Sequence, residues 1–438
     1  MAESVIHRYR ALALLLLPLV LLRLWWQGWR QPGYPRRWRE RMGLFDSPAS
    51  NLGAAPIWVH AVSVGEVAAA VPLVRGLRER YPSIPVLLTT TTPTGREAAE
   101  RQLGQSVHHA VFPYDATFAL RRFFQRYRPR ALLVMETELW PNLISQCEQR
   151  GVPVALLNAR LSARSARGYA RFQRLTSVTL ACLDVILAQS AEDSARFVAL
   201  GAPPDRVRVA GSLKFDVSMP ASLHEEAAVL RRALGGDRPI VMAGSVREGE
   251  EERIITIYRE LQHELPALAL MLAPRHPARF ESVVAQCEAT GLRVGRRSAG
   301  DPREGEPLDI LVLDSMGELP RFYAAADVAI VGGSLAPLGG QNMLEPAALG
   351  VPVVVGPHLY NFAEVARRLE AGGALRIGRD DRSIALQVKA WLVDGEARDR
   401  AGAAARAIVD ANRGATRETL DQLVPLLGTP DALLQASG

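Results

Sequence analysis

Three acidic side chains and one lysine stand where a folded chain of this pattern would place its chemistry. In IWVHAVSVGE (57–66) an apolar run gives way to a Ser-Val-Gly turn, and Glu66 follows at the start of a helical pattern. A carboxylate there is open to a cleft as a base, or it caps the helix as an acid at a positive dipole end; position alone allows either. Glu136 and Glu138 in VMETELWP close another apolar run. An acid at that point can offset positive charge developing on a reacting centre, or it is a solvated loop residue. Lys214 closes VRVAGSLKFD in a chain of fifty arginines and only one other lysine, Lys389. Its compact ammonium differs from the planar guanidinium fork, which suits close approach to a phosphate; chance retention is the alternative.

A second group of candidates lies further on. VAIVGGSLAPLGGQNMLEPAALGVPVVVGP (328–357) reads as a buried strand, a glycine turn, a helix opening at Asn342 and a further strand. Such a junction presents unpaired N–H groups and a positive helix end to a phosphate. Glu345, one turn into the helix, can accept hydrogen bonds from ribose hydroxyls. Gly244-Ser245, Pro274-Arg275-His276 and Met316-Gly317-Glu318 each follow an apolar run, and Arg275 can pair with a phosphate. No G-x-G-x-x-G follows the first strand and no Walker sequence is present, which argues against a dinucleotide or ATP site. Arg160, Arg164, Arg167, Arg171 and Arg174 fall at spacings of 4, 3, 4 and 3. That is one face of a helix, either solvated or a basic contact for phosphates or a membrane surface.

The elements that must position these residues alternate. Apolar runs at 57–63, 85–92, 108–114, 131–138, 153–159, 184–189 and 207–212 are separated by helical stretches; after a mixed linker, FDVSMPASLHEEA, runs at 239–245, 269–276, 309–315, 328–333 and 352–356 follow. Alternation with strands apolar on both faces means parallel sheets covered by helices. The expectation is an α/β chain of two doubly wound domains facing one cleft, with ligands at the carboxyl ends of the strands.

Composition narrows the function. The net charge of +6 lies entirely within residues 1–45, where eight arginines face Glu3 and Glu40. The remainder nets to zero, which argues against a nucleic-acid-binding body. Ala11–Leu22 is apolar throughout and as a helix reaches about 18 Å, short of a hydrocarbon core of roughly 30 Å. Trp25, Trp26, Trp29 and Trp38 interleave with Arg30, Arg36, Arg37 and Arg39, a pattern suited to an anionic membrane interface with the following domains on the cytoplasmic side. Whether the segment crosses or lies in the bilayer is open. Cys147, Cys182 and Cys287 are far apart and the His108-His109 pair sits in a strand-like run, so no metal spacing or disulfide framework is visible.

WVHAVSVGE, METELWPN, NARLS, GSLKFD, APRHP, LDSMGEL and GGQNMLEPAALGVPVVVGP, in this order, resemble the 3-deoxy-D-manno-oct-2-ulosonic acid (Kdo) transferases of lipopolysaccharide synthesis. The resemblance implies a GT-B fold with an N-terminal membrane-anchor helix (1–30), an acceptor-binding Rossmann-like domain over 46–214 and a CMP-sugar-binding one over 228–425. It implies inverting transfer of Kdo from CMP-Kdo to the tetraacyl lipid A precursor at the inner membrane, with no metal or cofactor. Glu66 would be the general base, with Glu136 and Lys214 stabilising the transition state. Pro274, Arg275, Met316, Gly317, Glu318, Asn342, Met343, Leu344 and Glu345 would line the CMP site. One departure is Val246-Arg247 after Gly244-Ser245, near where relatives carry a histidine. The alternatives are a UDP-sugar-dependent GT-B enzyme on the same membrane face and a non-catalytic membrane-surface protein.

Overall fold

The computed structural model describes residues 2–30, 37–45, 52, 54–217, 219–220, 222–305 and 308–429. The chain forms two compact units, Met1–Asp216 with Arg413–Gly438, and Val217–Asn412.

The first unit is built on β1 (Ile57–His60), β2 (Val86–Thr90), β3 (His108–Val111), β4 (Ala131–Met135), β5 (Val154–Ala159), β6 (Val185–Ala188) and β7 (Val207–Val209). They pair in parallel in the order β3-β2-β1-β4-β5-β6-β7. Ile57, Val59, Leu88 and Leu133 face one helical layer while Trp58, Leu87 and Leu132 face the other. Two covered faces are why these runs are continuously apolar rather than alternating. His108 and His109 lie on the edge strand.

The second unit holds β8 (Ile240–Val246), β9 (Ala269–Pro274), β10 (Val294–Arg296), β11 (Ile310–Val312), β12 (Val328–Val331), β13 (Val353–Val355) and β14 (Leu375–Ile377), all parallel, in the order β10-β11-β9-β8-β12-β13-β14. β10 and β14, absent from the sequence reading, are three-residue edge strands that are largely half-exposed. Both sheets reverse their winding at one point, between β1 and β4 and between β8 and β12, where doubly wound sheets open a crevice.

The chain's end departs from expectation. The resemblance implies that residues 413–425 belong to the second domain, but helices Ala415–Gln422 and Val424–Leu427 place Ala415, Leu420, Leu423 and Leu427 in the first unit's core. Gly76 makes room: a Cβ there would lie 2.5 Å from Leu420 Cδ1. Burial of each leucine is worth roughly 1.5–3 kcal/mol, and the Asp216 carboxylate accepts the N–H groups of Gly414 and Thr416 where the chain returns.

The N-terminal helix runs Ala2–Arg30 with Pro18 inside it. Among the described residues no helix is long and apolar enough to cross a membrane. Its first turns are fastened to the first unit: Ile6 is buried, the Tyr9 hydroxyl donates to Asp115 Oδ2 at 2.8 Å, and Arg10 donates to Asn142 Oδ1 at 2.8 Å and Ser145 Oγ at 3.2 Å. Beyond them Leu12, Leu15, Leu19 and Leu22 are exposed. Arg36, the expected domain start at residue 46, and the side chains of Arg23, Trp25, Trp26, Trp29 and Arg30 lie outside the described residues.

The arginine series does not share one helix. Ala163–Ala170 and Gln173–Ala181 are separate, with the chain turning at Arg171-Phe172, and Arg160 precedes both. Arg164, Arg167, Arg171 and Arg174 are nonetheless exposed, as is Phe172 between the two helices.

Candidate active site

At the carboxyl end of β1 the chain enters helix Val64–Arg80, whose N-cap is Ser63. Glu66 closes a reciprocal cap: Oε2 accepts the Val62 N–H at 2.8 Å and Oε1 accepts the Ser63 hydroxyl at 3.1 Å. The two sequence readings of this residue therefore coincide, since the capping acid is also a buried carboxylate beside other acids. Burial raises its pKa to about 7 and the carboxylates of Glu136 and Glu138 add to the rise, against the Val62 N–H and Ser63 hydroxyl. A group titrating there exchanges a proton readily near neutral pH, the property of a general base.

Glu136 follows β4, the strand beside β1 across the winding reversal. Its φ of 57° is left-handed, a conformation a non-glycine residue holds only when its surroundings impose it. Its Oε1 lies 3.2 Å from Lys214 Nζ, with both side chains mostly buried. Glu138 is pushed upward by burial and further by Glu136. Lys214 reaches this place through Asn158, which the sequence reading did not single out. Asn158 sits at a register shift in β5, with φ of 51°, and its Oδ1 accepts the Leu213 N–H at 3.1 Å while its carbonyl accepts from Gln189 Nε2 at 2.9 Å. An asparagine inside the otherwise apolar run PVALLNA was the available signal. Glu66, Glu136 and Lys214 thus gather in one domain at one winding reversal.

In the second unit Pro274, Arg275, Met316, Gly317 and Glu318 line one pocket together with Ser245. The ends of β8 and β9 and the loops after β9 and β11 supply them, with Gly317 at a φ of 91° turning the chain. The Glu318 carboxylate is held by Arg297 at 2.8 Å and by the Ser315 hydroxyl, so it shapes the turn. Asn342 Nδ2 donates to Glu345 Oε1 at 3.1 Å, and Asn342 Oδ1 accepts the Leu344 N–H at 3.1 Å. Burial raises the Glu345 pKa, opposed by the Asn342 amide and the charge of Arg275, which links this residue electrostatically to the pocket. Met343 and Leu344 differ from expectation. Their side chains are fully buried, because a short helix beside the sheet must pack its apolar side.

The glycine turn after β12 also differs from its sequence reading. The N–H groups of Gly333, Leu335 and Ala336 are not presented to a ligand; they bond to the Glu250 carboxylate. The sequence reading missed Glu250. Among the described residues no group of three or more His, Cys, Asp or Glu side chains is arranged to hold a metal ion.

Residues 36–217 match the family model described as 3-deoxy-D-manno-octulosonic-acid transferase, and residues 309–408 match that of group 1 glycosyl transferases. The chain is 44% identical over 425 residues to the 3-deoxy-D-manno-octulosonic acid transferase of Bordetella pertussis, covering 94% of this chain and 97% of that protein. It is 39% identical to the transferase of the same description from Haemophilus influenzae, covering 96% and 98%. Among solved structures, S. aureus MnaA with UDP aligns at a TM-score of 0.55 and 15% identity over 86% of this chain and 98% of that one, a likeness of fold. Two doubly wound parallel domains agree with the GT-B architecture, and on this similarity the chain belongs to the Kdo transferases and is a glycosyltransferase.

Proposed function

We propose that the protein transfers Kdo from CMP-Kdo to the glucosamine 6-hydroxyl of the tetraacyl lipid A precursor, with inversion. The observation that carries this is Glu66, a buried carboxylate poised at about 7 beside a lysine–carboxylate pair. Glu66 takes the proton from the attacking hydroxyl. Lys214 and Glu136 balance the charge that shifts between the reacting sugar and the departing phosphate. Arg275 pairs with that phosphate, while Glu345 and Asn342 hold the ribose. CMP leaves with a single phosphate, whose charge these groups offset without a metal ion.

The lipid acceptor calls for contact with a membrane surface. The exposed leucines of helix Ala2–Arg30 and the exposed Phe172, Arg164, Arg167 and Arg171 belong to the same unit as Glu66 and fit the interface of an anionic inner membrane, approached from the cytoplasmic side. Contact of this helix with helices Pro141–Gln149 and Gln173–Ala181 supports a fixed mount for it.

A UDP-sugar donor is the alternative. The deciding experiment incubates the full-length protein with CMP-Kdo and lipid A precursor, reads product mass, and compares thermal stabilisation by CMP and UDP. Kdo addition with stabilisation by CMP is expected. Stabilisation by UDP alone with no Kdo product overturns the proposal.

A further inference from the structure

Glu250 is a fully buried carboxylate that accepts hydrogen bonds from backbone N–H groups. Oε2 accepts from Arg247 at 2.9 Å and Gly333 at 2.7 Å; Oε1 accepts from Leu335 at 2.9 Å and Ala336 at 3.0 Å. Burying a carboxylate is expensive unless its lone pairs are satisfied, and here each oxygen receives two donors. Four converging N–H groups form the kind of nest that elsewhere binds an anion.

Position gives this nest its meaning. Arg247 belongs to the loop leaving β8, whereas Gly333, Leu335 and Ala336 belong to the loop leaving β12, and these neighbouring strands flank the winding reversal. We propose that Glu250 is a positioning residue for the donor site: its carboxylate fills the anion seat at this reversal and locks the loop that leaves β8 just past Ser245 to the loop that leads to Asn342.

The loops have little slack. Ser245 has a φ of 54°, a left-handed conformation that costs of order 1–3 kcal/mol and must be imposed. A Cβ on Gly332 would lie 2.5 Å from the Ser245 carbonyl oxygen. The Val246 carbonyl accepts the Arg275 N–H at 2.8 Å, so the last residue of β8 also sets the backbone at Arg275. On the other side the Gly333 and Gly332 carbonyls accept the N–H groups of Gly340 at 2.7 Å and Gln341 at 3.0 Å, returning the chain to Asn342. The seat a phosphate would otherwise take is thus used to shape the pocket beside it. This role rests on the CMP reading of that pocket.

The test compares full-length wild type with Glu250→Gln and Glu250→Ala. Readouts are CMP affinity, KM for each substrate, melting temperature and hydrogen exchange of the peptide spanning 330–341. In Glu250→Gln an amide NH2 faces N–H donors. It should melt cooperatively near wild type, exchange faster in this loop, bind CMP at least tenfold more weakly, and keep its KM for the lipid acceptor. Glu250→Ala leaves the nest empty, so added formate should restore CMP binding in it and do nothing for Glu250→Gln, whose side chain occupies the seat. Unchanged CMP affinity and loop exchange in Glu250→Gln overturn the proposal, as does a folded Glu250→Ala indifferent to formate. If Glu250→Ala does not fold, the Gln variant decides alone. Wild type that fails to bind CMP refutes the donor reading, and loop exchange then decides whether the clamp exists.

Discussion

Replacing Glu66 by Gln separates what the carboxylate does for chemistry from what it does to stability. Its pKa rises from 4.5 to about 7 on folding, mainly through burial. The unfolded chain therefore releases this proton first. Between those values the native state binds more protons, so stability falls as pH rises. At 1.36 kcal/mol per pKa unit the penalty is about 1 kcal/mol at pH 5 and about 3 kcal/mol at pH 8. Glutamine keeps an oxygen for the Val62 N–H and carries no charge. The variant should accordingly gain stability over wild type as pH rises, by about 2 kcal/mol between pH 5 and pH 8. Over the same range the wild-type kcat/KM should climb through an apparent pKa near 7, and the variant should lose activity by at least about a hundredfold. Thermal melts of both proteins across pH, with Kdo transfer measured in the same buffers, supply the data. A stability difference independent of pH, or an acid limb near 4.5, would refute both the elevated pKa and the base assignment.

Lys214→Arg keeps the charge but not the shape, and should lower kcat by about tenfold or more with the fold intact; a fully active arginine variant would return Lys214 to chance retention. Arg275→Gln should raise KM for CMP-Kdo by about 10- to 100-fold, the worth of a charged hydrogen bond, while KM for the acceptor holds; equal rises in both would remove Arg275 from the donor site. Substituting Leu15, Leu19 and Leu22 by Gln should weaken binding to anionic vesicles without lowering the melting temperature, because these side chains are exposed. Asp115→Asn should do the reverse, freeing residues 4–12 to faster hydrogen exchange, since it places an amide against the Asn142 and Leu143 N–H groups and the Tyr9 hydroxyl. Vesicle sedimentation and exchange measurements distinguish the two.

The same contacts bear on truncation. Deleting residues 1–30 removes Ile6, Tyr9 and Arg10 from the packing of the first unit together with the exposed leucines. Such a deletion would confuse loss of membrane contact with damage to the fold, which the leucine substitutions avoid.

The long apolar strands were legible because a parallel strand buried on both faces leaves a continuous hydrophobic run, as in PVALLNA and VAIVGG. β10 and β14 were not, because an edge strand of three residues buries too little to mark its sequence. The strand-end residues Glu66, Glu136, Arg275 and Met316 could be picked out by position, since the end of a run is a local property. Tertiary structure alone decided which of them meet, through pairings between segments far apart in the chain. It set Lys214 against Glu136 through Asn158, returned residues 415–427 to the first unit, and raised the Glu66 pKa by burying it near two other acids. It also filled the nest after β12 with Glu250, since a donor's partner depends on what folding brings beside it, and local sequence records only that the donor exists.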